Sequence, residues 1–329
     1  LRIFLSALAI FALASYHILG NTSWQRIAHA LSIASALGLL WVIAFGRNAV
    51  PTNAIPWAGS MAMISAFLLA MALKSDAEKF DKRIWLVGGL LAAMAVLVSE
   101  SRGSYGVIVW WFGVCAHHAW TTSKTKTVKV GHKGPRQFAQ PAIVVTALTL
   151  GVALLGQTSI ATTPLQRMEL AIQEVQASRQ SVEAGANSSV GARLYLWQQS
   201  WGPIQDSPWI GHGHDHRKAL IAEWAEKSRS STIKSLGHLH NEYLHQLLDH
   251  GMMGLASQLC YFLGFWVVTH QLLRAKQVAS ATAIAGIGFI HLTASLTNVN
   301  FAHNYYPLSL SLLVIISLWM ACRKNDISD

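Results

Sequence analysis

The chain is 329 residues long, 52% hydrophobic and 12% charged, roughly half the charged share of an ordinary soluble domain. Its formal charge of +10 raises nucleic acid as a partner, but the basic residues cluster in short connections between apolar runs, the pattern of a membrane protein. Cys115, Cys260 and Cys322 lie within or just after apolar runs, so no disulfide framework is implied.

The sequence opens at Leu1 with no signal-peptide n-region and is read as a piece of a longer chain. Apolar runs recur at about 3–19, 27–46, 57–73, 84–100, 103–120, 141–160, 252–273, 278–297 and 303–322. Each has about the length needed to cross ~30 Å of hydrocarbon as a helix. Nine transmembrane helices are therefore expected. Lys74, Lys79, Lys82 and Arg83 follow the third run; Lys124, Lys126, Lys129, Lys133 and Arg136 follow the fifth. Arg274 and Lys276 follow the seventh, and Arg323 and Lys324 the last. Short loops rich in Lys and Arg stay cytoplasmic, which leaves 47–56, 100–103 and the long 161–250 segment outside. The expected organisation is six spans in 1–160, an outward helical cap in 161–250, and three spans with a short cytoplasmic tail in 251–329. Within the cap, helices are expected over 164–184, over 189–201 ending before Pro203, over 217–229, and from His240 into the membrane.

The motifs follow in chain order. Ser99-Glu100-Ser101-Arg102-Gly103 forms a tight turn between two apolar runs, where the planar fork of Arg102 suits a diphosphate. Arg193 and Trp197 share one helix face at i and i+4, and lead to Ser207-Pro208-Trp209-Ile210-Gly211-His212-Gly213. His212, His214 and His216 resemble a metal site, but alternate histidines in a Gly-rich turn do not readily face one ion, and no metal or other cofactor is expected. His238-Leu239-His240-Asn241-Glu242-Tyr243-Leu244 closes the polar segment. On a helix from His240, positions 244, 247 and 251 would share its face, and a neutral imidazole is a plausible base for a sugar hydroxyl.

His240-Asn241 followed by Leu244, Leu247 and Gly251 resembles the signature of the O-antigen ligase and O-antigen polymerase superfamily. The Ser-Arg-Gly turn, the Arg193-to-Trp197 spacing and the Pro-x-x-Gly-x-Gly element complete that resemblance, which runs from about residue 57 to 310. It implies an all-α polytopic membrane protein with a GT-C-like glycosyltransferase fold, commonly of twelve spans, three of them outside this sequence. The matching positions imply His240 as catalytic base and Arg102 and Arg193 as catalytic residues that bind the diphosphate. His238, Asn241, Tyr243 and Trp197 are the implied substrate contacts; His238, two residues before His240, leaves the choice of base open.

The implied reaction is metal-independent. It moves an O-antigen glycan from undecaprenyl diphosphate to a sugar hydroxyl of lipid A-core oligosaccharide, in lipopolysaccharide biosynthesis. The implied setting is the periplasmic face of the bacterial inner membrane, with the lipid bilayer as partner and no nucleic acid. An O-antigen polymerase, a protein O-oligosaccharyltransferase and, in another class, a polytopic transporter are the alternatives. Transporters usually show internal repeats and broken mid-membrane helices, and neither is visible here. For the acceptor, the 203–236 region is expected to offer His212, His214, His216, Arg217, Lys218, Lys227, Arg229 and Lys234 as a cationic surface suited to phosphorylated lipid A-core.

Overall fold

The computed structural model describes residues 24–50, 52–126, 164–180 and 186–323. Among them every regular element is helical. The α-helices are α1 (Trp24–Phe45), α2 (Ala54–Ala72), α3 (Lys79–Val98), α4 (Gly106–Lys126), α5 (Pro164–Gln180), α6 (Ser189–Asp206), α7 (His214–Ser228), α8 (Ser231–Lys234), α9 (Glu242–Arg274), α10 (Val278–Ser295) and α11 (Tyr305–Arg323). Short 3-10 turns cover Arg47–Ala49, Arg102–Ser104 and Asn300–Ala302.

Five stretches are long and apolar enough to cross a membrane: Trp24–Phe45, Ala54–Ala72, Glu242–Arg274, Val278–Ser295 and Tyr305–Cys322. The chain is thus an all-α protein with the long apolar helices of a polytopic membrane fold, but nine spans are not what the described residues hold. The runs at 84–100 and 103–120 are helices α3 and α4, and they fall short. Lys79, Asp81, Lys82 and Arg83 charge the first turns of α3, and His117, His118, Lys124 and Lys126 dilute the end of α4. The runs at 3–19 and 141–160 lie outside the described residues.

Three helix limits in the polar segment also differ from expectation. Helix α6 passes through Pro203 to Asp206; a proline in the last turn forfeits a single ladder hydrogen bond there. Helix α7 begins at His214, and α9 begins at Glu242, two residues after His240.

The chain divides into two compact units. The first takes in Leu1–Thr162, Val267–His291 and Asn304–Asp329; the second takes in Thr163–Trp266 and Leu292–His303. In the first, α2 is buried nearly all round through Ala58, Ala62, Met63, Ala66, Phe67, Leu68 and Leu69. Small residues let its neighbours approach closely, as in membrane helix packing. Gly88 of α3 lies so near Ser32 of α1 that an added Cβ would collide with the serine side chain and stand 2.8 Å from its Cα. Ser32 turns its hydroxyl back onto the Ala28 carbonyl at 2.9 Å, so the buried oxygen is satisfied within the helix. Trp111 Nε1 donates to Ser65 Oγ at 2.9 Å, and that hydroxyl donates to the Gly89 carbonyl at 2.7 Å, linking α4, α2 and α3 by buried hydrogen bonds. The large apolar side chains face the other way: Ile33, Leu37, Leu40 and Phe45 of α1 are all more than 60% exposed. Large apolar side chains turned outward on α1 suit hydrocarbon as solvent.

Overpacking at Gly88 provides a test. Gly88→Leu should lower the melting temperature of the detergent-purified protein, by an amount equivalent to about 1–3 kcal/mol or more. Gly113→Leu on α4, where an added Cβ meets nothing within 4 Å, should leave it unchanged. Equal melting of the two variants would remove the α1–α3 approach as a source of stability.

Candidate functional site

The second unit has its own apolar core. Leu196 of α6, Trp224 of α7 and Leu248 of α9 meet there with Ile233 and Leu239. Leu239 is fully buried, and it anchors the middle of the 237–241 segment. Two polar contacts pin the same segment. Trp197 Nε1 donates to the Leu239 carbonyl at 2.7 Å, and Arg217 NH1 donates to the Gly237 carbonyl at 2.7 Å. The i, i+4 spacing of Arg193 and Trp197 acquires a geometric meaning here, because the face that pins Leu239 also carries Arg193.

On either side of Leu239, the rings of His238 and His240 lie 4.2 Å apart between centroids. His303, from the loop before α11, meets His238 edge-on at 5.8 Å. The His240 backbone is left-handed, with φ of 52°, an uncommon conformation for a residue with a side chain. Its amide donates to His238 Nδ1 at 3.3 Å. His240 Nδ1, Asn298 Oδ1 and His303 Nε2 are buried and have no hydrogen-bond partner among the described residues. Buried polar atoms left open in this way are uncommon in folded proteins.

Burial, more than any other cause, lowers the basicity of these imidazoles. His238 is brought down to about 4, by burial first and then by the charges of His303, Arg217 and Arg193. His240 is brought down to about 2, by burial and then by His238, Arg193 and His303, with the Asn298 side chain pulling the other way. Burial lowers His303 as well. Near neutral pH the three rings are uncharged, beside an arginine that is not.

Sequence reasoning missed the group that holds the two loops together. Glu242 is fully buried. Its Oε2 accepts from Ser295 Oγ at 2.8 Å and from the Asn300 amide at 3.3 Å, and its Oε1 accepts from the Phe301 amide at 3.3 Å. The 298–303 loop, which brings Asn298 and His303 to the cluster, is thereby fixed to the first residue of α9. The available signal was a charged residue entering an apolar helix directly after His240-Asn241. Asn241 itself caps α9, its Oδ1 accepting from the Leu244 amide at 3.1 Å. Tyr243 donates its hydroxyl to the Leu292 carbonyl at 3.0 Å.

The expected continuous face from His240 to Gly251 does not form. His240 precedes the helix, and α9 kinks at Gly251, where φ is 60° and ψ is −154°. A Cβ on Gly251 would overlap the Trp209 backbone, and one on Gly211 would stand 2.5 Å from the Asp249 carbonyl carbon and the His250 nitrogen. Amides bond across this approach. His212 N donates to Leu248 O at 2.8 Å, Gly213 N to Asp249 O at 2.9 Å, and Met252 N to Pro208 O at 2.8 Å. The Pro-x-x-Gly-x-Gly turn and the glycine of the histidine motif are therefore halves of one backbone junction.

The remaining expected residues are arranged as follows. Arg217 is not part of an open cationic surface: it is 2% exposed, with Nε on Asp249 Oδ1 at 2.7 Å and NH2 against His214 Nδ1 at 2.6 Å. It is a buried strut, whereas Lys218, Lys227, Arg229 and Lys234 are exposed. His212 contacts the Pro203 carbonyl at 2.6 Å and stacks on His216 at 4.8 Å. Arg102 belongs to the first unit. Its turn begins at Glu100, in the left-handed region with φ of 55°, and is held by Ser101 Oγ on the Ala54 carbonyl at 3.2 Å and by Arg47 beside Glu100 at 3.7 Å. The Arg102 guanidinium has no ion pair among the described residues.

The lowered histidines give a pH dependence of definite sign. Below the free imidazole value of 6.5 the unfolded chain binds protons that folded His238 refuses until about pH 4, so stability falls as pH falls through this window. His238→Gln should flatten the drop in melting temperature between pH 6.5 and 4. An unchanged slope would mean that His238 is already protonated in the fold.

Two comparisons bear on this arrangement. A 24% identical stretch of 182 residues is shared with a Haemophilus influenzae protein described only as uncharacterized; it covers 51% of this chain and 43% of that protein. The O-antigen ligase family model matches residues 87–259, more than half of the chain. That interval contains Arg102, Arg193, Trp197, the His238–Tyr243 motif and the Gly211 and Gly251 junction. With its specific motifs inside the matched interval, the chain belongs to the O-antigen ligase/polymerase superfamily.

Proposed function

We propose that the protein is an O-antigen ligase, a metal-independent glycosyltransferase that takes its glycan from undecaprenyl diphosphate. The acceptor in this reading is a sugar hydroxyl of lipid A-core oligosaccharide, and the site faces the periplasm from the inner membrane. One observation carries it: an uncharged His240, its Nδ1 buried beside Asn298, lies with His238 and His303 under the field of Arg193. A base and an anion-binding cation in one cluster are what transfer from a diphosphate donor requires.

In the proposed step, the acceptor oxygen attacks the anomeric carbon while the bond from that carbon to the diphosphate oxygen breaks. His240 Nδ1 takes the hydroxyl proton, and the bonding pair leaves with undecaprenyl diphosphate. Attack from the face opposite the leaving group inverts the anomeric centre. Arg193 stabilises the charge growing on the diphosphate, and Arg102 is assigned the same role on the resemblance alone. The low basicity of free His240 fits this order of events. Arg193 opposes imidazolium in the empty site, and a bound diphosphate reverses the sign of the field, raising the affinity of His240 for a proton once donor is present. His238 Nδ1 is occupied by the His240 amide, which favours His240 as the base.

His240→Ala should lower transfer in a purified assay with lipid-linked glycan and lipid A-core by ~10²–10⁴, the usual cost of a lost general base. His238→Ala should cost less. The reverse ranking would reassign the base. Arg193→Lys keeps charge but loses the bidentate fork and should also be strongly impaired.

The polymerase is the second reading, since it shares the donor. The exposed Lys218, Lys227, Arg229 and Lys234 favour a phosphorylated, anionic acceptor and hence the ligase. Cells deleted for the gene should accumulate full-length lipid-linked polymer that never reaches lipid A-core. Accumulation of single repeat units would assign the polymerase instead.

A further inference from the structure

The first unit contains a cavity of about 390 Å³ between α2, α3 and α4. One wall is basic. Lys79, Lys82 and Arg83 reach it from the first turns of α3, spaced i, i+3 and i+4 so that they share a face. The rest is mostly apolar, through Leu69, Leu73, Leu86 and Val114, with Cys115 and His118 of α4 completing the lining. No carboxylate lines it. Of the nearby acids, Asp81 faces His29 at 3.2 Å and Asp76 faces Lys74, while Glu78 is exposed and does not line the cavity. The Lys82 ammonium donates to the Ser75 carbonyl at 3.1 Å, which leaves its charge uncompensated.

A cavity with a cationic mouth and an apolar interior selects a ligand with an anionic head and a hydrocarbon tail. We infer that this cavity binds a phosphate-headed lipid, with the phosphate on Lys79, Lys82 and Arg83 and the chain along Leu73, Leu86 and Val114. A soluble anion would leave the apolar part unfilled, and a zwitterionic lipid would bring its own cation to the cationic mouth. The inference does not depend on the proposed transfer reaction.

Cys115 lines the cavity and reports on its occupancy. Cys260→Ser and Cys322→Ser leave it as the sole thiol. In phosphatidylcholine nanodiscs, maleimide labelling of Cys115 sets the reference rate. Phosphatidylglycerol in the disc should slow labelling about fivefold, the protection given by a ligand at about four times its dissociation constant. Inorganic phosphate added to phosphatidylcholine discs should not slow it. Lys79→Gln/Lys82→Gln/Arg83→Gln should abolish the protection while retaining the reference rate, which also checks the fold around Cys115. Arg83→Glu carries the same test through a single exposed side chain and should abolish it too. Protection that is absent, equal with phosphatidylcholine alone, or retained in both variants overturns the inference. Equal protection by inorganic phosphate overturns it as well, in favour of a small-anion site.

Discussion

Glu242 accepts hydrogen bonds from Ser295 Oγ and from the amides of Asn300 and Phe301, and through them the loop that carries Asn298 and His303 is fastened to the start of α9. His240 stands two residues earlier on the same strand of chain, so one carboxylate sets the registry between both contributors to the histidine cluster. Its loss would leave two buried amides and a hydroxyl unpaired, at roughly 1–3 kcal/mol each. Trp197 on the Leu239 carbonyl and Arg217 on the Gly237 carbonyl hold the other side. The cluster is therefore supported on every side by groups that do not belong to it, which is how a left-handed histidine with an open Nδ1 persists.

The motif residues of this unit were legible because each short pattern carries a local geometric demand. Arg193 and Trp197 at i and i+4 had to share a face, and they do. His240-Asn241 had to sit where the polar segment meets the apolar helix, and Asn241 caps that helix. What could not be read was long-range. Nothing near residue 298 or 303 in the sequence announces that Asn298 and His303 join His240, since their arrival depends on Glu242 binding amides nearly sixty positions away. Arg217 looked like one more surface cation because neighbours such as Lys218 and Lys227 are; its burial depends on Asp249, two residues before the kink. The span count failed on a different ground. Alternation of apolar and basic segments identifies helices well, but charged residues inside the first turns of α3 shorten its apolar length below that of a crossing segment.

The electrostatics of the second unit have one consistent character. Its central imidazoles are kept uncharged, mainly by burial, with the charges of Arg217 and Arg193 acting on His238 and that of Arg193 on His240. The two buried carboxylates among the described residues of the unit are committed elsewhere, Glu242 to loop amides and Asp249 to Arg217.

The junction between Gly211 and Gly251 bears on how such sequences are classified. Each glycine is required because the opposing backbone would occupy the volume of a Cβ, and main chain offers no alternative rotamer by which a second substitution could relieve the overlap. The requirement is thus indifferent to the chemistry of any acceptor. The glycines that make the pattern easy to find are diagnostic of a scaffold, and members that differ in acceptor are expected to keep them alike. Any discrimination among such members would then fall to side chains outside the junction, such as the exposed Lys218, Lys227 and Arg229 of α7 and the turn after it.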